Sequence, residues 1–239
     1  MSPARRHTLI RGLAVVTLAA LMVLALRGIE AGQDTKLRQE RLYFPSGVFL
    51  EESSLGFREA FADYLWFRFV QYYGAYAKGK NDFRYFDLLI DGITRLDPRF
   101  VEAYYFASLV RWSSLGDGPG SLDILKRGIL HNPDKAKLPF QIGFMYYVIE
   151  RDFARAAHWF EVAARCSDAT DKESRFAAFA RYRSGDDRVS LALWKDMLEN
   201  TQSPQMKELA EKMIAKLVRQ IEIRKLYGDD FIGPIPPEI

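Results

Sequence analysis

The chain has 239 residues, of which 49% are apolar and 14% aromatic, so it can build a packed core and is too apolar for a disordered protein. Four arginines in the first 27 residues account for the formal charge of +3, because the remaining 30 basic residues stand against 31 acidic ones. The body of the chain therefore lacks the basic excess of a nucleic-acid-binding surface. The single cysteine, Cys166, excludes an intrachain disulfide and a cysteine-based zinc cluster.

Residues 1–28 have the layout of a signal anchor. A basic stretch, residues 1–11, precedes an uncharged apolar run over residues 12–26, which spans a membrane if Leu9 and Ile10 extend it. The nearest cleavage site, Ile29-Glu30-Ala31, has a bulky residue where a small one is preferred, so we expect the segment to be retained. The positive-inside rule places residues 1–11 in the cytoplasm and the chain after Arg27 outside it. We therefore expect a single-pass protein of the bacterial inner membrane with its C-terminal domain in the periplasm. Cleavage followed by secretion is the alternative.

Residues 29–55 are predicted to be a stalk followed by an irregular segment. Residues 30–41 are polar and mixed in charge, and Pro45 to Gly47 form a turn between two apolar patches within residues 42–50. We interpret residues 42–50 as a cover over one end of a helical domain. An exposed docking strand is the alternative interpretation.

Helical periodicity predicts an all-α domain over residues 56–227. Helices are expected from about residue 56 to a polar break at 77–82, and then over residues 83–96, 101–114, 122–130, 138–149, 153–165, 173–183 and 188–199. Residues 116–120 are predicted to be a loop, with Ser121 as the cap of the next helix. The last helix begins at Ser203-Pro204 and ends before Gly228, and its single apolar stripe is typical of a helix that caps a repeat array.

Residues 228–239 carry Pro234, Pro236 and Pro237, which predict an extended polyproline-like tail. The tail is either a flexible terminus or a docking motif for a partner or for this chain's own groove.

One pattern occurs twice, because Pro98 and Pro133 each end one helix and precede the next, 35 residues apart. A period of this length is typical of stacked helical hairpins. The hairpin 138–165 resembles the tetratricopeptide repeat through Ile142, Gly143 and Tyr146 in its first helix and Ala156, Phe160 and Ala163 in its second. The hairpins on either side depart from the pattern, with Arg111 in place of an aromatic residue and Ser190 in place of an alanine. Gly143 and Ala156 are where the two helices are expected to cross closely.

The resemblance implies a right-handed solenoid of about four hairpins with a C-terminal capping helix, which binds protein segments on a concave groove. Carried onto this sequence, the groove is lined by the first helices of the hairpins, at Tyr64, Phe67, Gln71, Glu102, Tyr105, Leu109, Trp112, Lys137, Phe140, Phe144 and Tyr147. The alternative is that these side chains pack against neighbouring hairpins.

The sequence contains no catalytic constellation, and we predict no cofactor and no metal site. The glycines of residues 116–120 are not followed by the Lys-Ser/Thr of a phosphate loop, and Asp186-Asp187 and Asp229-Asp230 lack the spaced oxygens of a calcium loop. We therefore predict a non-catalytic, membrane-tethered scaffold or adaptor for protein–protein interactions, part of a bacterial envelope complex, which binds a peptide segment or a subunit and no nucleic acid. The alternative function is a periplasmic ligand-binding protein that uses the aromatic groove for a sugar or another small molecule.

Overall fold

A computed structural model of the chain describes residues 17–18, 20–24, 50–52, 54–79 and 83–228. All regular structure in these residues is helical, as predicted. Nine α-helices follow one another between residues 58 and 227: α1 (Arg58–Ala77), α2 (Phe86–Leu96), α3 (Val101–Leu115), α4 (Gly118–His131), α5 (Lys137–Met145), α6 (Phe153–Ala164), α7 (Asp171–Arg183), α8 (Asp187–Asn200) and α9 (Pro204–Tyr227). A π-helical turn, Tyr146–Glu150, continues α5.

The predicted anchor lies largely outside the described residues, as do residues 29–49 of the stalk and the tail from residue 229. Residues 20–24 are helical and exposed. No helix in the described part of the chain is both long enough and apolar enough to cross a membrane. Leu50, at the end of the segment that we interpret as a cover, is buried against the helical core.

The helices pack chiefly against their neighbours in sequence. In the pair α3 and α4, the Ser121 hydroxyl donates a hydrogen bond to the Ser108 carbonyl (2.8 Å), and in α7 and α8 the Ser190 hydroxyl donates to the Ala178 carbonyl (2.8 Å). Both serines are buried where the two helices of a hairpin cross. At position 190, where the repeat pattern has alanine, the serine therefore adds a hydrogen bond between the two helices.

The close approach predicted at Gly143 is confirmed. A Cβ atom added to this glycine would lie 2.7 Å from Cδ1 of Phe160, on the facing helix α6. Gly128 on α4 is equally confined, because a Cβ there would lie 2.7 Å from the ring of Tyr104. Small residues at these points let large rings on the partner helix fill the space between the two backbones.

Hydrogen bonds between loops join one hairpin to the next. The Asn132 side chain donates to the Pro98 carbonyl (3.1 Å), and the backbone N–H of Ser167 donates to the Asp134 carboxylate (2.8 Å). The Asp168 carboxylate, at the position where the other two repeats have proline, accepts from the backbone N–H of Ala136 (2.8 Å). The loop that follows each of these helix pairs is therefore bonded to the loop that precedes the same pair.

The apolar core forms two main clusters. The larger runs from Leu50 through α1 to α7 and is rich in aromatic rings around Phe69 and Phe83. The smaller lies between α7, α8 and α9, around the fully buried Trp194 and Leu217. Helix α7 contributes to both clusters, so it connects the last two helices to the rest of the domain.

The prediction of a loop over residues 116–120 with Ser121 as cap is wrong. Helix α4 begins at Gly118, and its cap is Asp117, whose carboxylate accepts a hydrogen bond from the backbone N–H of Gly120 (2.9 Å). Aspartate caps helices well, and Pro119 is compatible with the first turn because its missing N–H has no partner there. The glycines and the proline resemble a loop in sequence, but the chain enters the helix one turn earlier.

Candidate functional site

The candidate binding site is one face of the first helices of the hairpins. Eight of the eleven predicted residues lie on α3 and on α5 with its π-helical extension, at three- and four-residue spacing, which places them along one side of each helix. We call this set the first-helix face; it comprises Glu102, Tyr105, Leu109, Trp112, Lys137, Phe140, Phe144 and Tyr147.

Lysines hold adjacent first helices in register. The Lys137 ammonium forms an ion pair with Glu102 and lies 4.3 Å from the centre of the Tyr105 ring, so one side chain of α5 contacts two of α3. The Lys172 ammonium of α7 repeats this geometry at 4.1 Å from the Phe140 ring of α5. Residues 102, 137 and 172 are spaced by 35, as are 105 and 140. The sequence period is therefore also a period of contacts between helices.

The side chains of the first-helix face are exposed or half-buried, and none is fully enclosed. Trp112 is 39% and Phe144 38% exposed, which is high for large apolar side chains. Phe140 and Tyr147 are half-buried because they also pack on the Phe176 ring of α7, with ring centres 5.2 and 6.4 Å apart. The rings of the face pack between hairpins, as the alternative interpretation of the sequence expects. They also present surface to solvent, as a binding groove requires.

The other three predicted residues, Tyr64, Phe67 and Gln71, are exposed on α1. The described contacts between α1 and α3 run instead through Trp66, whose ring lies 5.7 Å from Phe106, and through Tyr76, whose hydroxyl donates to the Ser114 carbonyl (3.3 Å). We therefore leave these three residues outside the first-helix face.

Helix α7 extends the face with residues that were not predicted. Besides Lys172, it contributes Phe176 through the ring contacts described above and Tyr182, which lies 35 residues after Tyr147. The Tyr182 ring is capped by Lys216 of α9, at 4.7 Å. A signal was present in the sequence, because adding the 35-residue period to Lys137 and Tyr147 identifies Lys172 and Tyr182.

Glu173 positions Lys172 over the Phe140 ring. Its carboxylate is buried and lies 2.9 Å from the Lys172 ammonium. Burial opposes ionisation of Glu173, but the Lys172 ion pair and hydrogen bonds from the backbone and hydroxyl of Thr170 outweigh it and lower the pKa of this carboxyl. The same bonds form a capping box at the start of α7. The start of α7 and the position of the Lys172 ammonium therefore depend on the same carboxylate, that of Glu173.

Arg111 occupies the place where the repeat pattern has an aromatic residue. Its guanidinium bridges Asp87 on α2 and Asp117, the cap of α4, and it lies 5.7 Å from the Phe86 ring. The arginine thus joins three helices through charge, where the pattern would use an apolar contact.

A polar recess of about 340 Å³ lies where the end of α9 meets the start of α8. The Asp187 carboxylate is 96% buried there, and its Oδ2 lies 2.6 Å from Nη1 of Arg224. Burial raises the pKa of the Asp187 carboxyl, with the Arg224 charge opposing and that of Asp186 adding to the shift. Asp186 caps α8, and among the described residues no group of three His, Cys, Asp or Glu side chains lies close enough to hold a metal ion.

The rings of the first-helix face do not line either of two shallow recesses on the surface. One is the recess at Asp187; the other, of about 420 Å³, is bounded by polar residues of α2, α3 and α4, including Asp91, Arg95 and Arg127. The first-helix face presents exposed and half-buried side chains along one side of α3 and of α5, an arrangement that suits an extended ligand.

No protein-family model matches the chain, and a comparison with curated proteins finds no match.

Proposed function

We propose that the chain is a non-catalytic, membrane-tethered interaction protein, a scaffold or adaptor in a bacterial envelope complex. In this proposal the hairpins form a tetratricopeptide-like right-handed solenoid of about four hairpins, closed by α9. Two observations support the architecture: helices contact chiefly their sequence neighbours, and loop hydrogen bonds recur between residues 32 to 34 apart.

The binding proposal is carried by the repeated pairing of a lysine with an aromatic ring on adjacent first helices. Lys137 over Tyr105 and Lys172 over Phe140 place cations beside partly exposed rings, and Trp112 and Phe144 add apolar surface. A protein segment in extended conformation with apolar side chains is complementary to such a strip, because the rings supply contact area. Since Lys137 pairs with Glu102 and Lys172 with Glu173, an acidic side chain of the segment would share these lysines with the glutamates.

The predicted anchor would hold the first-helix face close to the periplasmic side of the inner membrane. A partner subunit in the same membrane would then meet the face at a high effective concentration, so a weak contact per residue would suffice. This supports a role in assembling a complex rather than in capturing a dilute ligand.

Photo-crosslinking in intact cells tests this function. A photoreactive residue in place of Trp112 or of Tyr147 should capture the same protein, because both positions lie on the first-helix face. Leu130, 80% exposed on α4, provides the matched control position and should capture nothing specific. Equal capture from all three positions, or none above the control, would contradict the proposal.

A further inference from the structure

The end of α9 lies beside the start of α8, and this fixes where the proline-rich tail begins. Arg224, in the last turn of α9, contacts Asp187, the first residue of α8, at 2.6 Å. Gly228 then ends the helix with φ +87°, a conformation that residues with a side chain rarely adopt. Residues 229–239 therefore start at the junction between α7 and α8.

This junction is connected to the first-helix face by a short series of contacts. Arg183, the last residue of α7, places its guanidinium 4.7 Å from the Phe153 ring, and Phe153 packs edge-on against Tyr147 at 5.2 Å. On the α9 side, Lys216 lies 4.7 Å from the Tyr182 ring. A chain that leaves α9 at Gly228 thus starts a few side chains away from Tyr147.

The composition of the tail complements the first-helix face. Residues 229–239 read DDFIGPIPPEI, with three acids, three prolines and no basic residue. Arg183 lies beside the Phe153 ring at the end of α7 where the tail begins, while Lys137 and Lys172 are paired with Glu102 and Glu173. Aromatic-lined grooves are the usual sites for proline-rich segments. Eleven residues span up to about 36 Å when extended, enough to cross from α7 to α5 and α3.

We propose that residues 229–239 occupy the first-helix face of their own chain, with Asp229 and Asp230 beside Arg183 and the prolines against the rings. This inference rests on the proposed function, because it takes the face to be a binding surface. A tail attached next to its own site is present there at an effective concentration on the order of millimolar. A partner must therefore displace the tail, so the tail acts as a competitive inhibitor. We expect the partner's binding segment to resemble the tail, as an acidic, proline-containing segment.

The test uses the full purified chain with a photoreactive residue in place of Tyr147. An equal mixture of ¹⁴N- and ¹⁵N-labelled chains is irradiated, and the crosslinked peptides are identified by mass spectrometry. The photoreactive residue at position 147 should be crosslinked to residues 229–239 of the same chain. The control at Leu130 on α4 should yield no tail crosslink. Changing Asp229 and Asp230 together to Lys should reduce the tail crosslink at least five-fold, with Tm unchanged.

Two further outcomes separate this inference from the proposed function. Tail crosslinks between differently labelled chains would show that a second copy supplies the occupant, and would overturn the inference. In intact cells, capture of another protein by Tyr147 with no tail crosslink in the purified chain would also overturn it, while leaving the proposed function standing. As a positive arm, a fluorescent peptide of residues 229–239 should bind the chain truncated after Gly228 at least ten-fold more tightly than the full chain.

Discussion

Gly143 leaves no space for a side chain, because a Cβ atom there would lie 2.7 Å from Cδ1 of the buried Phe160. We predict that Gly143→Ala lowers the free energy of unfolding by about 1–3 kcal/mol, since the Phe160 ring must shift within a packed core. Urea unfolding followed by circular dichroism measures the change.

The control for this substitution is Gly74→Ala, on α1. A Cβ atom at Gly74 meets nothing within 4 Å, so alanine there should stabilise the helix by about 0.5–1 kcal/mol. Similar effects of the two alanines on stability would show that helix propensity decides both and that the Gly143 crossing is not tight.

The lowered pKa of Glu173 predicts the direction in which the stability of the protein changes with pH. Because its folded pKa is lowered from the ordinary value of 4.5, Glu173 contributes stability above that value, which is lost as the pH falls through the folded pKa. Glu173→Gln should therefore destabilise the protein at pH 7 and make progressively less difference below pH 4.5. A Gln variant as stable as the parent at pH 7 would contradict this account of the capping box.

The raised pKa of Asp187 predicts that stability changes with pH in the opposite direction. Its pKa is raised from the ordinary value of 3.8, so the folded state binds the proton more tightly, and stability rises as the pH falls through the folded pKa. Asp187→Asn should leave the protein as stable as the parent or more stable at pH 7, and the difference should shrink towards pH 4. Thermal unfolding at several pH values checks this, and a marked loss of stability in Asp187→Asn at pH 7 would mean that the Arg224 pair outweighs burial.

At the scale of the helix, α9 depends on the smaller core cluster. Leu217 is fully buried between α8 and α9, so Leu217→Ala should cost about 2–5 kcal/mol locally. Because only α7 and Leu193 of α8 connect the smaller cluster to the larger one among the described residues, hydrogen exchange should accelerate in α8 and α9 and change little in α1 to α3. The adjacent Val218→Ala, at a position 37% exposed, is the control and should change exchange little. Uniform acceleration along the chain would show that the two clusters unfold as one unit.

The sequence predicts helix α4 but places its first residue about one turn too late. Gly116 to Gly120 contains three glycines and a proline, which favour a loop by composition, yet Asp117 caps the helix and Pro119 fits its first turn. Cap strength and proline position outweigh composition at the end of a helix. The residue predicted as the cap, Ser121, instead donates its hydrogen bond across the hairpin to Ser108.

At the scale of the whole molecule, the apolar run over residues 12–26 predicts membrane attachment. We expect the full chain to remain in the membrane pellet after extraction with alkaline carbonate, because the run can span the hydrocarbon layer. A chain that starts at residue 28 should be released. Release of the full chain, or a mature chain shown by mass analysis to lack Arg27, would favour the cleaved and secreted alternative.

The sequence by itself determined the all-helical class and the positions of most helices, because apolar periodicity, caps and prolines act within a few residues of one another. The resemblance to the tetratricopeptide repeat suggested the residues of the first-helix face on α3 and α5, and Lys137 of α5 contacts Glu102 and Tyr105 of α3. That this face binds a partner stays a prediction.

Only the tertiary structure decided which exposed side chains lie together and which charges are buried. Asp187 and Arg224 are 37 residues apart with no local pattern linking them, and their pairing depends on the angle at which α9 packs on α8. The same holds for Lys172 over Phe140, whose geometry depends on the spacing between first helices. Such contacts arise from the packing of whole helices, and side-chain volumes along the entire interface set that packing.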